Sequence, residues 1–345
     1  MIENYPNQRR AHCETGVLVN MLEYYGIKIS EPMAFGIGGG LYFMYFPWMK
    51  VEDFVLLVLR TKPATIIRHF SARMHLDYHE ISFGNDKKKA KETLDDMIAQ
   101  GIPVGLTVNM LGLKYLNDLG AKLDFNGHNM TVIGKENGQY IIADVDWQLP
   151  NDDYVYLDEV RMEAVRFRPG PSAPHGRMYY FGSLPKDFSD KTLMKQAIIK
   201  GLKETYKNMM TIPMPFFGYR GFHYLAKDMR KWEKKFSPEY INHVLYWYYK
   251  FVEMTGTGGA GYRYIYSDFL KESADLFQSE VLADCSRTMH DSADNLRKFS
   301  VGCNRYINKS GVTINDLADA IDEAGNCEYE TFKKLKDAFL KKNKG

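Results

Sequence analysis

Apolar residues recur at helical spacing in Val17, Leu18, Met21, Leu22 and Tyr25, which predicts a helix over Glu14–Tyr25 with Gly26 as its stop. A second amphipathic helix is predicted over Lys87–Gln100, where Ala90, Leu94, Met97 and Ile98 share a face, and Ile102–Asn109 then reads as a strand. Two β-rich runs, His128–Gly134 and Tyr140–Asp146, flank Asn137-Gly138 and should pair antiparallel. Strand-like runs at Tyr154–Leu157, Ala164–Phe167 and Met178–Phe181 extend the sheet, while Arg168 to Pro174 must be loop.

The pattern changes near residue 187, beyond which almost every segment reads as helix. Helices are predicted at Lys191–Met209, Gly221–Phe236, Glu239–Met254, Tyr262–Phe277, Val281–Asn308, Ile314–Ala324 and Tyr329–Lys342. Ser237-Pro238-Glu239 places an N-cap, an N1 proline and an acidic first turn in order, and Thr313 with Asp316 does much the same further on. The expectation is an α+β domain over 1–185 followed by an all-helical domain over 186–345.

A chain of 345 residues that is 45% hydrophobic can bury a sizeable core. The formal charge of +2 divides into roughly −3 for the first domain and +5 for the second, which argues against a nucleic-acid partner. The most apolar stretch, Phe35 to Leu59, is interrupted by Pro47, Lys50, Glu52 and Asp53, so it reads as buried elements rather than a membrane span. Cys13, Cys285, Cys303 and Cys327 match neither a disulfide framework nor a zinc pattern, and His69, His75 and His79 lack carboxylates at metal spacing. No metal, free thiols, no targeting segment and a cytoplasmic location are expected.

A thiol attacks only when ionised, and a helix N-terminus favours the thiolate. Cys13 opens the first predicted helix, a position that also suits a small buried hydrophobe. His128 follows Gly127 at the mouth of a strand and is the expected base; His12 is the rival, pointing elsewhere because neighbours on a starting helix diverge. Asp144 and Asp146 on the returning strand are candidate orienting acids. A strict two-residue hairpin sets residue 147 opposite His128, which turns both aspartates away unless a bulge intervenes.

These residues resemble the butirosin-biosynthesis H-type proteins, whose N-terminal domain belongs to the papain-like cysteine-peptidase superfamily. Three blocks carry the resemblance: His12-Cys13 through Tyr24-Tyr25-Gly26 to Gly36-Ile37-Gly38-Gly39-Gly40; Gly101-Ile102-Pro103-Val104-Gly105 leading to Gly127-His128 and Ala143-Asp144; and Gly256-Thr257-Gly258-Gly259-Ala260-Gly261-Tyr262-Arg263. The resemblance implies a papain-like fold and a Cys13, His128, Asp144 triad. The gap from His128 to Asp144 is similar to that in bacteriocin-leader peptidases of the same superfamily and favours Asp144 over Asp146. The papain-like pattern has an oxyanion-binding glutamine about six residues before the cysteine; here Gln8 lies five before and Asn7 six.

The resemblance further implies transfer of an acyl group from an acyl-carrier-protein thioester, through Cys13, to a small-molecule acceptor. No cofactor is implied beyond the phosphopantetheine arm of the donor. Gly38 and Gly39 would let backbone approach a ligand, and Gly258, Gly259 and Arg263 would bind a phosphate or carboxylate or else form a plain interhelical turn. A hydrolase with the same triad and a non-catalytic binding protein are the alternatives. Lys227, Arg230, Lys231, Lys234 and Lys235 crowd one predicted helix and form either a carrier-docking face or a solvated surface.

Overall fold

The computed structural model describes residues 1–51, 53–116, 123–146, 149 and 154–343. In chain order the first elements are α1 (Cys13–Tyr24), α2 (Glu31–Ile37), β1 (Leu41–Val51), β2 (Phe54–Arg60), α3 (Thr65–Arg73) and β3 (Tyr78–Ile81). Next come α4 (Lys87–Ala99), β4 (Val104–Asn109), β5 (Asn126–Glu136), β6 (Gln139–Ala143), β7 (Val155–Asp158), α5 (Glu159–Arg166) and β8 (Met178–Phe181). The helices α6 (Lys191–Tyr206), α7 (Gly218–Met229), α8 (Trp232–Lys235), α9 (Pro238–Tyr249), α10 (Arg263–Phe277), α11 (Glu280–Ile307) and α12 (Ile314–Lys334) complete the chain.

The chain divides into two compact units. The first, Met1–Ala34 with Pro63–Lys191, holds a six-stranded antiparallel sheet in the order β3-β8-β4-β5-β6-β7. Alternation along the strands sends Leu106, Val108, Met130, Val132, Tyr140 and Ile142 to one face, where they pack against Leu94 and Met97 of α4 and Met162 and Val165 of α5. On the other face the Tyr5 hydroxyl donates to Thr131 at 3.0 Å, and the Tyr5 ring meets Tyr24 of α1. The Asn137-Gly138 turn forms as expected, with φ of 50° and 78°, the left-handed pair that a two-residue hairpin needs.

β5 contains two bulges. Val132 pairs with Ile142 but Gly134 pairs with Ile141, so Ile133 is an extra residue, and its carbonyl accepts the Ile2 N–H at 2.6 Å. At the start of the strand Val108 pairs with His128 and Asn109 with Asn126, which leaves Gly127 as the second. The expected strand at Ala164–Phe167 is instead the end of α5. Asp158 caps that helix by accepting from the Arg161 N–H, and Met162, Val165 and Arg166 recur on its buried side.

The second unit contains Thr192–Gly345 and also Phe35–Lys62, which a boundary near 185 would leave with the first. The β1–β2 hairpin is held there by its aromatic residues. Phe43 stacks on Phe222 at 3.7 Å, Tyr45 donates to Asp228 at 2.6 Å, and Tyr248 donates to the Val55 carbonyl at 3.0 Å. Ser237 and Thr313 cap α9 and α12 as expected, the latter with a full capping box. The two helices expected over 314–342 form one helix through residue 334, because Gly325 serves close packing: a Cβ there would lie 2.7 Å from Phe222 Cβ. No helix among the described residues is long and apolar enough to cross a membrane.

Candidate active site

Cys13 is the first residue of α1, and the turn that presents it is tied down by one carboxylate. Glu31 accepts the Ala11 N–H at 3.0 Å, the His12 N–H at 2.8 Å and the Thr15 hydroxyl at 2.9 Å. Burial pushes the Glu31 carboxyl above its ordinary range, against those donors and Arg10. His12, the rival base, is buried with Nδ1 3.0 Å from Thr15 Oγ1. Thr15 gives its single proton to Glu31, so the His12 nitrogen is the donor in that contact.

His128 Nε2 lies 2.6 Å from Asp144 Oδ2, with both side chains buried. The Ile133 bulge makes this possible by shifting the hairpin register one residue, so that even-numbered positions on both strands face the same way. Asp144 also receives the Tyr115 hydroxyl at 2.8 Å on Oδ2 and the Asp146 N–H at 3.0 Å on Oδ1, while Arg9 donates to its main-chain carbonyl. Burial opposes ionisation of Asp144, but His128, Tyr115 and the Asp146 N–H outweigh it and hold the carboxyl below its ordinary value. Burial likewise works against a charged His128, and Asp144 together with the adjacent Cys13 sulfur raises the imidazole well above its ordinary value.

With Nε2 on Asp144, Nδ1 is the ring nitrogen left for Cys13. The thiol also lies 4.0 Å from the Gly127 carbonyl, which accepts the Asn129 side-chain amide at 3.2 Å. Asn129 is held in turn by the Tyr179 hydroxyl at 3.0 Å. The other three cysteines sit in the second unit and are raised by burial, Cys285 to about 12, Cys327 to about 11, and Cys303 well above its ordinary value.

Several expected site residues do other work. Gln8 is exposed and its amide is 3.5 Å from Glu23, so it is not aimed at the thiol; Asn7 is the buried one, and its side-chain oxygen accepts from Arg9 at 3.2 Å. Asp146 supports Asp144 through its main-chain N–H. Gly38 and Gly39 lie in the turn that ends α2, where the Gly39 N–H reaches the Gly36 carbonyl at 3.1 Å and Gly40 that of Phe35 at 3.0 Å. Gly258 and Gly259 form a turn closed on Glu253, which accepts from the Ala260 N–H and from Arg297.

Arg263 is not available to a ligand. Its guanidinium is fully buried and all five N–H groups have partners: two on Glu328, two on the carbonyls of Leu59 and Gly261, and one on that of Tyr42. Sequence reasoning passed over Tyr115, Glu31 and Asn129 as site residues. Glu31 lies 18 residues beyond Cys13, and nothing in local spacing marks its contact with the Cys13 turn.

Residues 12–145, which contain Cys13, His128 and Asp144, match the family model for butirosin biosynthesis protein H, N-terminal. Residues 160–335 match a second model, Domain of unknown function (DUF4872). No curated protein matches the sequence. The chain belongs to the butirosin-biosynthesis H-type family, a family of biosynthetic enzymes.

Proposed function

We propose that the first unit is a papain-like catalytic domain and that the chain is a cysteine-dependent acyltransferase. Cys13 is its nucleophile, His128 its base and Asp144 the orienting acid. The observation that carries this reading is the buried 2.6 Å contact between His128 and Asp144 beside a cysteine at the first position of a helix. An imidazolium held charged next to a sulfur at a helix N-terminus is the environment in which a thiolate acts as nucleophile.

The donor is an acyl thioester on the phosphopantetheine arm of an acyl-carrier protein. Cys13 Sγ attacks the carbonyl carbon, main-chain N–H groups of the first turn of α1 stabilise the oxyanion, and the carbon–sulfur bond to the arm breaks. The departing thiolate takes the proton held by His128. An amine or hydroxyl of a small-molecule acceptor then attacks acyl-Cys13, His128 receives its proton, and the Cys13 thiolate leaves. The test is intact mass of the protein after incubation with an acyl thioester, followed by addition of an amine. An acyl adduct on Cys13 that the amine discharges faster than water supports transfer; discharge by water alone makes the enzyme a hydrolase, and the absence of any adduct overturns the mechanism.

A further inference from the structure

Phe125 is 41 % exposed, yet its backbone is firmly held. Asn109 donates to Asp124 at 2.8 Å and to Asn126 at 2.7 Å, bracketing Phe125, whose carbonyl accepts the Met110 N–H at 2.9 Å. The ring leans on the bare Cα of Gly127: a Cβ there would lie 2.4 Å from Phe125 Cζ and 2.9 Å from Pro63 Cγ. Gly127 is not among the glycines with positive φ, so this contact, rather than the backbone conformation, is what requires a glycine before His128.

The same residue faces the nucleophile, since the Gly127 carbonyl is the one 4.0 Å from Cys13 Sγ. Phe125, Gly127 and Pro63 therefore make a rigid apolar shelf that runs up to the thiol. We propose that this shelf holds the body of the donor's acyl group and that Phe125 determines which acyl groups are accepted, favouring those with an aliphatic or aromatic body over short ones. The proposal rests on the reading of Cys13 as the acyl acceptor. An acyl chain bound to the arm enters with its carbonyl at Sγ and its hydrocarbon along the ring, which removes apolar surface of both from water.

The experiment is the rate of Cys13 acylation, read by intact mass, with acetyl, octanoyl and benzoyl thioesters of N-acetylcysteamine. The wild-type protein should favour octanoyl and benzoyl over acetyl by about tenfold or more, the discrimination typical of an apolar contact. Phe125→Ala should reduce that ratio about tenfold, and Phe125→Leu should restore most of it. A wild-type protein without preference, or a ratio untouched by Phe125→Ala, overturns the proposal while leaving Cys13 as acyl acceptor. If no thioester acylates Cys13, the parent mechanism fails and this proposal with it.

Discussion

Tyr115 donates its hydroxyl to Asp144 Oδ2 at 2.8 Å, the same oxygen that His128 Nε2 approaches at 2.6 Å. Two donors thus converge on one buried atom, and the carboxylate is fixed from a short 3₁₀ turn, Lys114–Leu116, as well as from the hairpin. Tyr115 helps to lower the Asp144 pKa. A depressed carboxylate contributes stability that is present above its unfolded pKa and lost as pH falls through the folded value. Tyr115→Phe should therefore cost about 1–2 kcal/mol near neutral pH and bring the onset of acid destabilisation to higher pH. Melting curves between roughly pH 2 and 5 test this; an acid limb that coincides with wild type would remove Tyr115 from the site.

The alkaline side tests His128. Its folded pKa is raised, with burial opposing and Asp144 and Cys13 prevailing, so its stabilising contribution is fully present below the unfolded value and fades as pH rises through the folded one. Asp144→Asn removes the principal partner. The difference in Tm between wild type and this variant should be largest at roughly pH 5–6.5 and should narrow at alkaline pH. A difference constant across that range would mean that the pair is not charged in the folded protein.

Thiol chemistry separates Cys13 from the others. Cys285, Cys303 and Cys327 are raised by burial, whereas Cys13 lies beside an imidazole held charged and is only half-buried. Iodoacetamide at neutral pH should label Cys13 first, and Cys13→Ser should abolish both that label and turnover while leaving the fold intact. Peptide mapping that finds Cys327 labelled first would count against the mechanism.

Arg263 carries a different expectation from the one its glycine-rich block suggests. Its ion pair with Glu328 is fully buried at 2.7 Å, and Ser292 donates to the same carboxylate oxygen. Removing one partner strands the other charge in the interior, so Arg263→Met or Glu328→Gln should each cost about 3–5 kcal/mol in urea unfolding. The double variant Arg263→Met with Glu328→Met should recover much of that loss. Single variants that fold with wild-type stability would show that the pair is not needed to hold the second unit together.

The local signals around the candidate site were more legible in the sequence than its geometry. Cys13 at a helix start, His128 after a glycine, and the Asn137-Gly138 turn are local signals, and each is found where spacing put it. The facing of Asp144 was not, because it depends on one extra residue at Ile133, and the neighbouring Gly134, a strand glycine that suits a bulge or a close backbone approach alike, does not fix its place. Tyr115 and Glu31 act through contacts distant in sequence, which periodicity cannot register. Glycine was the residue most readily misread. Gly259 reads as a ligand turn, yet its backbone takes a φ of 82° and a Cβ there would lie 2.5 Å from Arg297 Nη2.

The proposed carrier partner bears on the basic cluster of the second unit, and the structure narrows which charges are free for it. Arg230 pairs with Asp319 and Asp322, and Lys235 with Asp228, so both are largely neutralised in place. Lys227, Lys231 and Lys234 are exposed and form no ion pair among the described residues. An acidic carrier docking there would be steered by those three, an attraction that extends about 10 Å at 0.1 M salt and shrinks as salt rises. Replacing all three by Glu should slow acylation of Cys13 by a carrier-bound thioester about tenfold or more at low salt, an effect that fades at high salt. Acylation by an N-acetylcysteamine thioester, which has no protein to dock, supplies the comparison. Equal slowing with both donors would mean that the substitutions disturb the enzyme itself, and no slowing with either would exclude this face from carrier binding.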